Sequence, residues 1–144
     1  MSNGTIVVGV DGSEASRDAL RWAAKQAAAT KSRLQVVMSW DIPAMAYMAA
    51  LPVGYDWESD TRKVLADTVE EVLGADPGIE VTSTVMEGRP APVLLEQAKD
   101  ADLLVVGSRG HGAFTGMLLG SVSEHCVNHA HCPVVVVRTQ PHND

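Results

Sequence analysis

Five short apolar runs, separated by helical patterns, limit the folds open to this chain. They are TIVVGV (5–10), LQVVMSW (34–40), IEVTSTVM (79–86), DLLVVG (102–107) and PVVVVR (133–138). The first, fourth and fifth are nearly continuous in Val, Ile and Leu. That is the pattern of strands buried on both faces, and such strands are usually parallel. The third alternates, with Ile79, Val81, Ser83 and Val85 set against Glu80, Thr82 and Thr84, so it predicts a more exposed strand.

Four helical patterns fill the gaps. Ser13 is placed to N-cap a helix over 14–30, with Ala15, Ala19, Trp22, Ala23, Gln26 and Ala27 on one stripe. A second helix is predicted over 58–73, with Val64, Leu65, Thr68 and Val72 inward and Gly74 as its stop. A third starts at Pro90, a favoured first-turn residue, and carries Val93, Leu94 and Ala98. A fourth begins after Gly120. The order is β-α-β-α-β-α-β-α-β, and 144 residues suit one domain over 1–144 with a single sizeable core. The longest irregular stretch, 41–57, is rich in Met and aromatics; it could cover a ligand, meet a partner or simply pack over the sheet.

Parallel strands need crossover helices, and these are right-handed. In such sheets ligands lie beyond the carboxyl ends of the strands, where the strand order reverses. Two of those ends carry unusual residues: GVDGS after the first strand and GSRGHG after the fourth. If both serve one site, strands one and four are neighbours. The predicted fold is α/β, a doubly wound five-stranded parallel sheet in the order 3-2-1-4-5 with helices on both faces.

The net charge is −7 and no basic run occurs, which argues against nucleic acid or an anionic membrane as partner. Two cysteines, Cys126 and Cys132, are too few for a disulfide framework and fit a reducing compartment. The first residues do not read as a signal peptide, and no apolar run reaches membrane-spanning length. The expectation is a soluble, cytoplasmic protein.

The stretch VVGSRGHGAFTGMLLGSVSEH (105–125) holds the strongest functional signal. Glycines let backbone N–H groups approach a ligand closely, and the start of a helix near Gly120, Ser121, Val122 and Ser123 offers unpaired N–H groups and a positive dipole end to an anion. Arg109 and His111 are the basic side chains of this loop. The P-loop pattern is absent, since no lysine follows Lys99, and Gly110-x-Gly112 is followed by Gly116 one residue too late for a dinucleotide fingerprint. What fits is G-x2-G-x9-G-[ST], at Gly107, Gly110, Gly120 and Ser121.

Taken with IVVGVDGSEAS, EGRPAPVLLEQA, ADLLVVGSRGHG and LLGSVSEHCVNHAHCPVVVV, this spacing resembles the universal stress protein family over essentially the whole chain, in its ATP-binding subgroup. The resemblance implies that Asp11 meets the adenosine part of ATP, with backbone support from Val10 and from the end of the second strand near Ser39. It implies that Gly107, Gly110, His111 and Gly112 wrap the ribose and phosphates. Gly120, Ser121, Val122 and Ser123 would hold the phosphates, with Mg²⁺ accompanying them. It also implies a homodimer through the fifth strand, Pro133–Arg138, which agrees with the tendency of a bare all-Val edge to pair.

Simpler readings stand beside these. Ser121-x-x-Glu124 also fits a capping box, and Asp11-Gly12-Ser13 an ordinary turn and N-cap. EHCVNHAHC (124–132) places His125 and His129 at i, i+4, a spacing that suits zinc, but the stretch reads far more readily as a core cysteine with surface histidines, and no metal is expected. ATP hydrolysis needs a positioned water and an orienting base, and no acid recommends itself. The functional expectation is an ATP-binding stress or regulatory protein. A slow ATPase or phosphotransferase, a sensor of cyclic AMP or another adenine nucleotide, and an interaction protein with a vestigial site are the alternatives.

Overall fold

The computed structural model describes residues 4–41, 56–109 and 119–138. Among these residues five strands, β1 (Thr5–Gly9), β2 (Arg33–Trp40), β3 (Val81–Glu87), β4 (Leu103–Gly107) and β5 (Val134–Val137), alternate with four helices. These are α1 (Glu14–Thr30), α2 (Trp57–Leu73), α3 (Pro90–Gln97) and α4 (Ser121–His129). All strand pairings are parallel, and the order is β3-β2-β1-β4-β5, as predicted.

Strand alternation divides the apolar residues between the two faces of the sheet. Ile6, Val8, Leu34, Val36, Val85 and Val105 form one buried layer with α1 and with Leu65 of α2. Val7, Val37, Leu104 and Val106 form the other with α3 and with Cys126 of α4. Burial on both faces explains why the inner strands are continuous in Val, Ile and Leu.

The boundaries of α1 follow from its ends. The Ser13 hydroxyl accepts a hydrogen bond from Ser16 N–H, and Lys31 closes the helix in the left-handed region at φ 56°. Its buried stripe is Ala15, Ser16, Ala19, Leu20, Ala23 and Ala27. Leu20 and Ser16 were not expected there, and Trp22 and Gln26 are only half-buried. Small residues at every fourth position let α1 lie close on the sheet. The N-terminus of α2 is capped by Asp56, whose carboxylate accepts from Ser59 N–H at 2.9 Å, and Gly74, at φ 79°, ends it as anticipated.

Two sequence expectations are corrected on this side. Val64 is 44% exposed, while Leu65 and Thr68 are buried. Because α2 packs over β2 and the edge strand β3, only a narrow stripe of it is covered. The third strand begins at Val81 instead of residue 79, although Ile79 still packs on the core. As predicted, β3 is the more exposed strand, with Val85 its single buried residue. Among the described residues, no helix is long and apolar enough to cross a membrane.

Candidate functional site

The register Ile6↔Leu103, Val7↔Leu104, Val8↔Val105 sets the carboxyl ends of β1 and β4 side by side at the point where strand order reverses. Beyond β1, Val10 N–H donates to Val37 O at 3.0 Å, carrying the ladder one residue further. The chain then turns at Gly12, whose φ of 85° favours glycine. The Asp11 carboxylate organises this turn: one oxygen accepts from Ser13 N–H at 2.9 Å and from the Ser13 hydroxyl at 2.5 Å. Asp11 N–H donates in turn to the Ser16 hydroxyl at 3.2 Å, and that hydroxyl donates to Ser13 O at 2.9 Å. The ordinary-turn reading of Asp11-Gly12-Ser13 is therefore correct, and the same network fixes where the carboxylate stands.

Gly107, at the end of β4, has a packing reason to be glycine. A Cβ there would lie 2.8 Å from the backbone carbon and oxygen of Ala15 in the first turn of α1. Past Gly107, Ser108 N–H donates to Val137 O at 2.8 Å. The chain returns to this point at the start of α4, where Gly120 N–H donates to Ser108 O at 2.6 Å and the Ser123 hydroxyl donates to Gly107 O. Two hydrogen bonds thus tie the start of α4 to the end of β4.

The capping-box expectation at Ser121 is corrected. Gly120 is the N-cap, since its carbonyl already accepts from Glu124 N–H at 3.0 Å, and Ser121 is the first helical residue. Gly120, as N-cap, supplies no side-chain hydrogen bond to this helix start, in contrast to Ser13 at α1 and Asp56 at α2. The intrahelical ladder leaves the N–H groups of Ser121, Val122 and Ser123 without helical partners. Gly120 itself is buried and adopts φ −71°, ψ 165°, a conformation open to any residue. Backbone freedom does not explain its choice.

These ends meet around a cavity of about 190 Å³. Val10 and Asp11 line it just past β1, Met38 and Ser39 from β2, Gly107 at the end of β4 with Arg109 just past it, and Val122 and Ser123 from α4. Pro90 and Leu94 of α3 close the apolar side, and Leu94 lies where a Cβ on Gly9 would otherwise stand, 2.6 Å from it. Gly120 and Ser121, the two residues before Val122, are not among the lining residues. Gly110, His111 and Gly112 lie outside the described residues, as does most of the 41–57 stretch. Ser16, Met38, Pro90 and Leu94 were missed by sequence reasoning. Ser16 carried a signal, three residues after a cap; the α3 residues carried none, since their place depends on tertiary packing.

Two larger clefts, of about 460 and 440 Å³, lie at the opposite end of the sheet, the first beside Lys31, Arg33 and Glu80 and the second beside Gln35 and Thr84. Size does not select the site. The smaller cavity is at the carboxyl ends, where the strand topology favours ligands, and of these three it is the one that adds a helix start to a carboxylate and a guanidinium.

The second cluster noted in the sequence is on α4. Cys126 is fully buried, and burial, with the nearby Cys132 as a second cause, pushes its thiol up to about 11. Among the described residues no group of three or more His, Cys, Asp or Glu side chains is placed to hold a metal.

The model of the universal stress protein family matches residues 2–138. A universal stress protein of Mycobacterium tuberculosis is 37% identical over 142 residues, covering 94% of this chain and 48% of that protein. The chain spans about half the length of the relatives it matches in this way. Among solved structures, UspA from Lactobacillus plantarum superposes with a TM-score of 0.76 at 21% identity, covering 96% of this chain and 99% of that one. A universal stress protein in complex with cAMP gives 0.70 at 28% identity, covering 97% and 100%.

Proposed function

The chain belongs to the universal stress protein family, and from that premise we propose that it binds an adenine nucleotide, ATP with Mg²⁺, at the carboxyl ends of β1 and β4. The observation that carries the reading is the convergence of Asp11, Arg109 and the start of α4, whose N-cap is the side-chain-free Gly120, on one cavity. A helix start of this kind presents N–H donors and a positive dipole end to an anion. The apolar wall of Met38, Pro90, Leu94 and Val122 suits a base, and the Asp11 carboxylate suits the hydroxyls of a ribose. The cavity is smaller than the roughly 300–1,000 Å³ usual for small-molecule sites, which favours a nucleoside inside it and phosphates outside, toward Gly120–Ser123 and Arg109. Mg²⁺, when present, would neutralise phosphate oxygens, with binding, not turnover, as the function of the site.

A second reading, cyclic AMP, is favoured by the cAMP complex of the 28% identical structure. A cyclic monophosphate carries one phosphate and would use fewer of the α4 N–H groups. The deciding experiment is calorimetric titration of the purified protein with Mg-ATP and with cyclic AMP, alongside identification of any nucleotide released on denaturation. Tighter binding of Mg-ATP supports the first reading; tighter binding of cyclic AMP supports the second. Binding of neither overturns both.

A further inference from the structure

We propose that His125 and His129 form an open, two-imidazole site on α4 for one divalent transition-metal ion of the Ni²⁺, Cu²⁺ and Zn²⁺ class. The two residues are one helical turn apart, and their ring centres lie 4.5 Å from each other at an interplanar angle of 41°. Both side chains are exposed, so the rings turn about their terminal bonds without disturbing the core. A metal–imidazole bond is about 2.0–2.1 Å, so two nitrogens that share an ion stand about 3 Å apart, within reach of rings already in contact. Softer first-row ions prefer imidazole, while Mg²⁺ prefers oxygen, which separates this site from the ion expected with a nucleotide.

Several features of α4 favour a cation here. The helix contains no lysine or arginine. His129 is its last residue, where the negative end of the helix dipole attracts positive charge. The adjacent cysteine is not a competitor, because the Cys126 side chain is fully buried in the core while both imidazoles are exposed. With no third protein ligand among the described residues, the remaining coordination positions fall to water. Such a site exchanges its ion freely and does not hold the fold together, unlike a closed four-ligand structural site.

The test is titration of tag-free, nucleotide-free protein with NiCl₂, by calorimetry and by retention on a Ni²⁺-charged chelating resin. One Ni²⁺ per chain is expected, with Cu²⁺ binding more tightly and Mg²⁺ not competing. His125→Ala and His129→Ala should each lose about tenfold or more in affinity, because the second imidazole no longer binds as a tethered ligand. His131→Ala, two residues beyond the helix, should bind as wild type. Melting curves without metal should coincide for all four proteins, since the changed side chains are exposed. Absence of Ni²⁺ binding by wild type, undiminished binding by both His125→Ala and His129→Ala, or an equal loss in His131→Ala would overturn the proposal.

Discussion

A Cβ on Gly107 would stand 2.8 Å from the backbone carbon and oxygen of Ala15. One glycine of the spaced motif is therefore a seat for the first turn of α1. Gly107→Ala forces backbone to move, and overpacking of this kind costs about 1–3 kcal/mol. The variant should melt lower than wild type by a similar amount with or without Mg-ATP, as read by calorimetry. Unchanged stability would mean that α1 withdraws at no cost.

Asp11 organises its turn and, in the proposed function, holds the adenosine, and a pair of substitutions separates the two. Its carboxylate holds Ser13, so Asp11→Ala should destabilise the fold by about 0.5–2 kcal/mol, the range for losing such a turn and cap bond. Asp11→Asn keeps an oxygen acceptor for Ser13 and should melt near wild type. Both should weaken ATP, the alanine by about tenfold or more through loss of a charged hydrogen bond worth roughly 1.5–3 kcal/mol, and neither should weaken inorganic triphosphate. Equal losses for ATP and triphosphate would place the carboxylate away from the adenosine.

The fold was legible where a local pattern and a tertiary demand agree. Continuous Val, Ile and Leu marked β1, β4 and β5, and Ser13 and Gly74 marked helix ends because capping is chemistry within a few residues. The strand order was legible because the unusual loops after β1 and β4, read as serving one site, required those strands to be neighbours, as they are. What failed depended on contacts between distant segments. Ala15 and Gly107 are 92 residues apart in sequence, so the packing role of that glycine has no local trace. Ser121 looked like a cap because Glu124 follows three residues later, but the carbonyl that begins the ladder belongs to Gly120. Val64 looked inward because the helical stripe does not reveal how narrow the surface beneath α2 is. Pro90 and Leu94 reached the cavity wall through the packing of α3 alone.

We propose that the chain forms a homodimer through β5, the last strand of the sheet. The carbonyls of Pro133 and Val137 bond to β4 at Leu104 N–H and Ser108 N–H, so by parallel-strand alternation Val134 and Val136 aim their N–H and C=O groups away from it. Proline is tolerated on an edge whose N–H faces outward. Val136→Pro should therefore give a monomer in sedimentation while leaving the β4 ladder in place. An intact dimer would show that a different surface pairs the copies.

The buried Cys126 thiol gives a dependence on alkaline pH. Its folded pKa, about 11, exceeds the ordinary 9.0, so between those values the folded state holds a proton that the unfolded state has lost. Stability must then fall as pH rises from about 9 to about 11. Cys126→Ala should melt lower at neutral pH, from the cavity it leaves, yet lose less stability across that interval. Parallel pH curves for the two proteins would contradict this.

The most direct test of the nucleotide site is Gly120→Val, melted with and without Mg-ATP. Gly120 is buried at the start of α4 with φ −71°, so valine meets no backbone strain. Its apo stability should fall by about 1 kcal/mol, from a poorer N-cap. At about a hundred times its dissociation constant, a ligand stabilises the fold by roughly 2.7 kcal/mol. The account predicts that wild type shows this shift and that the valine variant, folded but with its phosphate position filled, shows none. A full ATP shift in the variant would contradict the placement of the phosphates at Gly120–Ser123.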